Sequence, residues 1–429
     1  MSHDQRVKPS GNARRALLSG AMLSLIDQAM LSATNFGIGL LFIRLASKSD
    51  YGLYAQFFGV LMLSQALQNA ISNAPLVSLG PKLRGRRQRS LAAHLLRFQS
   101  LVSAAAGVAA IAVVSLLSGI LSIAELTPMV GCSFAVALVG QWLREYARNF
   151  HFCIYRPGMA LTTDAVYSVG VIAGLLTIAS LDQFGTSTVL LTLGAASIVS
   201  GLIGLVLSGP KPLGMHGRAK PALARAWHVS RWTLPSVLLS WVSNNTFAFV
   251  VAIIIGLAAS ADISAARLLL MPAGLCLTAW TKVFAPRMSS WWGLGARDTI
   301  RSATVYSCVA LLALILTYTV VLLLAFPLLE QFLLGERYSS AAALIPLWAL
   351  FFSVNAVRGV GTAVLVGAER FKDLFVFGLI GAAVSLLGSV AGTIIWGTGG
   401  AVLGLALGEL CLLLLIATIG RRRIVASTP

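Results

Sequence analysis

Twelve long apolar runs follow one another along this chain, and they leave few folds open to it. They fall at 17–43, 52–79, 95–121, 128–153, 160–181, 187–208, 233–257, 262–285, 303–328, 341–366, 373–396 and 399–420. A helix that crosses a bilayer needs about 20 mostly apolar residues. These runs are too long for strands, and hydrocarbon tolerates no open sheet edge. The predicted class is an all-α integral membrane protein with twelve transmembrane helices. Of the 429 residues only 11% are charged, where a soluble chain carries about 25%, so the outer surface is expected to face membrane lipids. The run from Ala16 to Ile43 is too long for a secretory signal and reads as the first span.

The net charge of +18 does not mark a nucleic-acid binder. Lys and Arg cluster in short bursts between the runs: Arg14–Arg15, Lys82 to Arg89, Lys211 to Arg231 and Arg421 to Arg423. Even-numbered loops carry most of them, while odd-numbered loops carry only Lys48 and Arg337 among several acids. Cytoplasmic loops are the Lys- and Arg-rich ones. Even loops and both termini are therefore expected inside, with partners that are lipids and a membrane-borne substrate rather than nucleic acid. The basic stretch 209–231 reads as a cytoplasmic linker between an N-terminal lobe, 1–208, and a C-terminal lobe, 232–429.

The two lobes overlay as an internal repeat. At a separation of 211 residues Thr34-Asn35-Phe36 meets Asn245-Thr246-Phe247, and Ala74-Pro75 meets Ala285-Pro286. At 214 residues Arg144 meets Arg358 and Arg156 meets Arg370. Six spans return the chain to the side it started from, so the repeats are parallel and the lobes pseudo-symmetric. Two such lobes flanking a cleft are an architecture for alternating access.

Charge inside a span costs at least ~2.5–3.5 kcal/mol, so the positions that carry it are candidate functional residues. Asp27 stands ~16 Å into the first span at 1.5 Å per residue, either ion-paired within the bundle or coupled to H⁺ or Na⁺. Arg144 and Arg148 share a face of the fourth span; Glu145 is expected to point elsewhere. Arg267 sits about five residues from the outer end of the eighth span, and Arg358 in the tenth at the depth of Arg144. Arg148, Arg44 and Arg97 are expected to snorkel to an interface. Arg144, Arg267 and Arg358 are the candidates for a phosphate, because guanidinium donors match its oxygens two at a time. Asn35, Asn244 and Asn245 add amides suited to sugar hydroxyls, or to hydrogen bonds between helices. No Ser/His/Asp set, phosphate loop or metal-ligand spacing appears, so no enzyme, cofactor or metal is expected.

Three stretches carry a family resemblance. Phe42-Ile43-Arg44-Leu45 through Ser49-Asp50-Tyr51-Gly52-Leu53-Tyr54-Ala55 resembles the junction of the first two spans in the polysaccharide exporter (oligosaccharide flippase) family. Phe332-Leu333-Leu334-Gly335-Glu336-Arg337-Tyr338 and the stretch from Gly361 to Lys372 are similar to later parts of the same family. In the second repeat Asp262-Ile263-Ser264-Ala265 departs from it, standing where Gly and Tyr are common. The resemblance implies a MATE-like fold and a flippase in a bacterial inner membrane. The implied cargo is an isoprenoid-diphosphate-linked oligosaccharide for surface polysaccharide, with a polymerase and a chain-length regulator as pathway partners. It also implies, more distantly, ion coupling at Asp27. The alternatives are a cation-coupled multidrug exporter of the same fold, or a membrane polymerase or ligase of lipid-linked sugars.

Overall fold

The computed structural model describes residues 11–83, 85–121, 123, 125–208 and 219–420. Arg84, Arg421 to Arg423 and the linker segment 209–218 lie outside them. Among the described residues the chain is helical throughout, without a strand. The helices are α1 (Gly11–Leu45), α2 (Lys48–Gln68, running on through the π turn Asn69–Asn73 into Ala74–Leu79), α3 (Arg86–Leu121), α4 (Pro128–Cys153), α5 (Pro157–Ser180) and α6 (Thr186–Leu207). They continue as α7 (Ala219–Ile254), α8 (Leu257–Gly293), α9 (Arg297–Leu329) and α10 (Ala341–Gly367). The stretch Phe371–Leu415 is broken at Trp396 and Gly397, and its halves are α11 and α12. Gly397 takes φ 64°, which side chains rarely adopt, so glycine permits the turn.

Nine of these stretches are long and apolar enough to cross a membrane, with α11 and α12 counted together. The two that fall short are polar for visible reasons. α2 carries Gln56, Gln65 and Gln68, and α4 carries Arg144, Glu145 and Arg148. The course of the chain is consistent with twelve spans. It differs from expectation within the linker 209–231, because α7 already begins at Ala219. The basic residues there mask a helix-forming run of Ala and Leu, and Ala226 joins a buried core with Leu76, Leu95 and Phe150.

The chain forms two compact units. The first comprises residues 1–38 and 64–234, the second 39–63 and 235–429. The expected boundary near 208–232 differs from this grouping in two places: 39–63 belongs to the second unit, and 219–234 to the first. Pro235, inside α7, opens the second unit.

In the first unit α4 and α6 cross at glycines. A Cβ on Gly140 would stand 2.5 Å from the Gly194 carbonyl oxygen, and one on Gly194 would stand 2.6 Å from the Ala137 nitrogen. Small residues let membrane helices approach to this distance, where dispersion replaces the hydrophobic drive.

In the second unit the α1–α2 junction is tied down by polar contacts. Lys48 Nζ lies 2.6 Å from Asp262 Oδ1, and 5.0 Å above the Tyr338 ring. Arg337 donates to the carbonyls of Ala46 and Arg44, each at 3.3 Å, and Arg44 donates to that of Phe332. Gln56 donates to Ser260 Oγ at 2.6 Å. Burial first, and then the Asp262 carboxylate, push the Tyr338 hydroxyl above its ordinary range. Asp262, the departure noted in the sequence, is thus the partner of a lysine.

The turns after α4 and α10 are the same. Arg156 N–H donates to His151 O and Tyr155 N–H to Phe152 O; Arg370 N–H donates to Leu365 O and Glu369 N–H to Val366 O. Both are Schellman caps with a left-handed residue, Tyr155 at φ 58° and Glu369 at φ 56°. They stand 214 residues apart, the separation found in the sequence.

Candidate functional site

Two clusters of intramembrane charge stand out, one in each unit. In the first unit, α4 presents Arg144, Glu145 and Arg148 toward Asp27 of α1 and Asp164 of α5. Arg148 binds Asp27 Oδ2 through Nη2 at 2.7 Å and Asp164 Oδ2 through Nε at 2.7 Å. Arg144 binds Glu145 at 3.0 Å and Asp164 Oδ1 at 3.3 Å, and its guanidinium lies 3.8 Å above the Tyr167 ring. Glu145 also reaches Arg148, at 3.5 Å.

This corrects two expectations. Arg148 does not snorkel; it lies at the centre of the cluster, because two carboxylates from other helices compensate it. Glu145 does not point elsewhere, because residues three apart share a helix surface and Arg148 follows it by three. Arg144 is 5% exposed and its charge is engaged by two acids, so a phosphate would have to displace them.

The cluster holds three carboxylates against two guanidinium groups. Asp27 Oδ1 is buried and has no hydrogen-bond partner. The cluster thus carries one more formal negative charge than positive.

In the second unit, α8 begins at Leu257, five residues earlier than expected, which puts Arg267 ~15 Å along the helix at 1.5 Å per residue. Its guanidinium lies 5.3 Å from the Phe247 ring centre and 5.5 Å from that of Trp348. Trp348 is itself fixed, since its Nε1–H donates to the Ile263 carbonyl at 3.1 Å. Among the described residues no carboxylate lies within 4.0 Å of Arg267, and its N–H groups meet no acceptor. Two cation–π contacts offer about 0.5–2 kcal/mol each. The insertion cost is at least ~2.5–3.5 kcal/mol, and the rings satisfy none of the five donors.

Arg358 of α10 is different. Its Nε donates to Glu409 Oε2 of α12 at 2.7 Å, and Asn355 donates to the same oxygen at 3.1 Å. Asn244 lines a cavity with this pair, its amide nitrogen donating to the Ser240 carbonyl at 2.8 Å. Asn245 donates to the Trp241 carbonyl at 3.2 Å and does not line that cavity. Asn35 lies in the first unit, half-buried on α1.

The structure thus brings together Asp27 with Arg144, and Asn244 with Arg358, while Arg267 stands apart. Asp164 is the main residue that sequence reasoning missed. It is the only acid in the fifth apolar run, which was a usable sign.

No protein-family model matches the sequence, and no curated protein matches it either. Solved structures do match in fold. A multidrug resistance MATE family transporter of the MOP superfamily in an inward-facing conformation superposes with TM-score 0.75 at 16% identity, over 92% of this chain and 94% of that one. The lipid II flippase MurJ, in an inward closed conformation, gives TM-score 0.73 at 12% identity, over 94% and 87%. An outward-facing MATE family transporter gives 0.64 at 15% identity, over 96% of each. The chain is a multi-pass, all-α membrane protein with the fold shared by these MATE family transporters and MurJ.

Proposed function

We propose that this protein is a flippase that moves an isoprenoid-diphosphate-linked oligosaccharide outward across a bacterial inner membrane for surface polysaccharide synthesis. The observation that carries the proposal is Arg267. A guanidinium held deep in a span by two aromatic faces, with its donors unfilled, is complementary to an anion such as a diphosphate. A drug exporter for cations would be expected to put an uncompensated acid there. The orientation read from loop charge gives the movement its direction. An inside-negative potential favours outward passage of an anion by about 2.3 kcal/mol per charge per 100 mV. The spare carboxylate of the Asp27 cluster is the proposed site of ion coupling, and the two lobes, 1–208 and 232–429, the proposed moving parts. A polymerase and a chain-length regulator are the proposed pathway partners.

The test is a deletion strain complemented with wild type, Arg267→Lys or Arg267→Ala, with lipid-linked oligosaccharide measured on the cytoplasmic side. Charge-assisted hydrogen bonds are worth about 1.5–3 kcal/mol, or roughly 10- to 100-fold in binding. Arg267→Ala is expected to accumulate the lipid-linked precursor as the deletion does, and Arg267→Lys to rescue in part. Full rescue by Arg267→Ala would sink the proposal.

A further inference from the structure

The second unit holds a cavity of about 310 Å³ among α7, α10, α11 and α12. Three serines of α7, Ser236, Ser240 and Ser243, recur at helical spacing and all line it. Ser243 donates its hydroxyl proton to the Leu239 carbonyl at 3.0 Å, and Asn244 spends an N–H on the Ser240 carbonyl. Ser243 is left with acceptor oxygen, and Asn244 with its amide oxygen and one N–H.

Most of the donors come from Arg358. Its Nε is engaged by Glu409, which leaves the two terminal nitrogens as donors. This ion pair decides what the cavity can hold. A positive and a negative group in direct contact leave the wall neutral, so neither a cation nor an anion finds an excess of opposite charge. An apolar ligand would strand the serine oxygens and the arginine donors at a cost of roughly 1–3 kcal/mol for each buried group. The occupant that satisfies every group is neutral and carries several hydroxyls, each both donor and acceptor. Phe371 and Phe375, 60% and 45% exposed, line the same cavity and add flat apolar faces. A ring with a C–H face and a rim of hydroxyls fits both.

We propose that this cavity is a saccharide subsite, taking a neutral sugar ring of the cargo while Arg267 takes its diphosphate. The proposal rests on the flippase reading and deepens it. The volume lies at the small end of the ~300–1,000 Å³ range of ligand cavities, so it receives a short piece of glycan.

The full-length protein in nanodiscs is titrated with neutral methyl hexopyranosides by saturation-transfer NMR, and separately with inorganic diphosphate by calorimetry. The variants are Ser240→Val with Ser243→Val, Ser240→Ala as a milder change, and Arg267→Ala. At least one glycoside is expected to bind wild type. Its affinity should fall about tenfold in the double serine variant, the loss of one or two hydrogen bonds, and less in Ser240→Ala. Diphosphate binding should be kept in the serine variants and lost in Arg267→Ala. If no methyl hexopyranoside binds wild type, or the serine variants bind it equally well, the subsite is overturned. Flipping in cells separates the two readings. Serine variants that flip at the wild-type rate, beside an inactive Arg267→Ala, remove the subsite and leave the flippase. A wild-type protein that flips no lipid-linked glycan while still binding a glycoside removes the flippase and leaves the cavity's chemistry.

Discussion

Among the described residues, Arg144 and Arg148 of the first unit meet three carboxylates; in the second unit Arg358 meets one and Arg267 meets none. The residue type is the same, and the sequence places all four inside spans. What differs is compensation. The first unit spends its arginines on holding α1, α4 and α5 together, with a negative charge to spare. The second pairs one arginine off beside a hydroxyl-lined cavity and leaves another between aromatic rings with its donors open. An intramembrane arginine thus says nothing about ligands until the acids around it are counted, and the count separates a structural cluster from a binding group.

The sharpest way to break this contrast is to remove the base at the centre of the first cluster. Arg148→Ala leaves Asp27, Asp164 and Glu145 facing Arg144 alone. Breaking a buried pair costs about 3–5 kcal/mol, so the detergent-solubilised protein should lose its cooperative melting transition or show it many degrees lower. A melting temperature equal to wild type would mean that water, not Arg148, compensates those acids.

A smaller effect sharpens the contrast from the other side. Glu409→Gln keeps the shape of the pair and removes its negative charge, which turns Arg358 into a second unmatched guanidinium. Diphosphate binding measured by calorimetry should then strengthen by roughly tenfold, about 1.4 kcal/mol, while glycoside binding weakens. No gain in diphosphate affinity would show that neutralisation is not what keeps anions from that wall.

The smallest effect is expected at the α1–α2 junction, where Lys48 and Asp262 are 26% and 16% exposed. Partly exposed pairs of this kind are worth about 0.2–1 kcal/mol. Lys48→Asp and Asp262→Lys should each lower the melting temperature slightly, and the swapped double variant should recover most of it. Additive losses in the double variant would dissolve the pair as a stabilising contact.

The helices were legible in the sequence because bilayer thickness sets a length that apolar runs must meet, and the repeated turn at Tyr155 and Glu369 stands at the separation the residues themselves displayed. Arg267 was legible because charge in a span is conspicuous. The pairing was not. Which acid faces Arg148 depends on how α1, α4 and α5 pack, and Asp164 looks in sequence like any residue near a span end. Glu145 was within reach of local reasoning, since it precedes Arg148 by three residues. The serines around Arg358 were hidden for another reason: hydroxyls are common in membrane helices, where most bond back to their own backbone. The helical part of 209–231 was missed because apolar length, used to find spans, ignores a basic helix that packs through Leu223 and Ala226.

The division of the chain into units at Ile38, Ser64 and Pro235 falls inside α1, α2 and α7 rather than in loops. A gene split within 209–218 would therefore yield two products, neither of which encodes a whole unit. The first carries residues 39–63, a missing part of the second unit; the second carries 219–234, a missing part of the first. The polypeptide is interleaved, so its halves are complementary fragments rather than separable modules, and each can be completed only by the other.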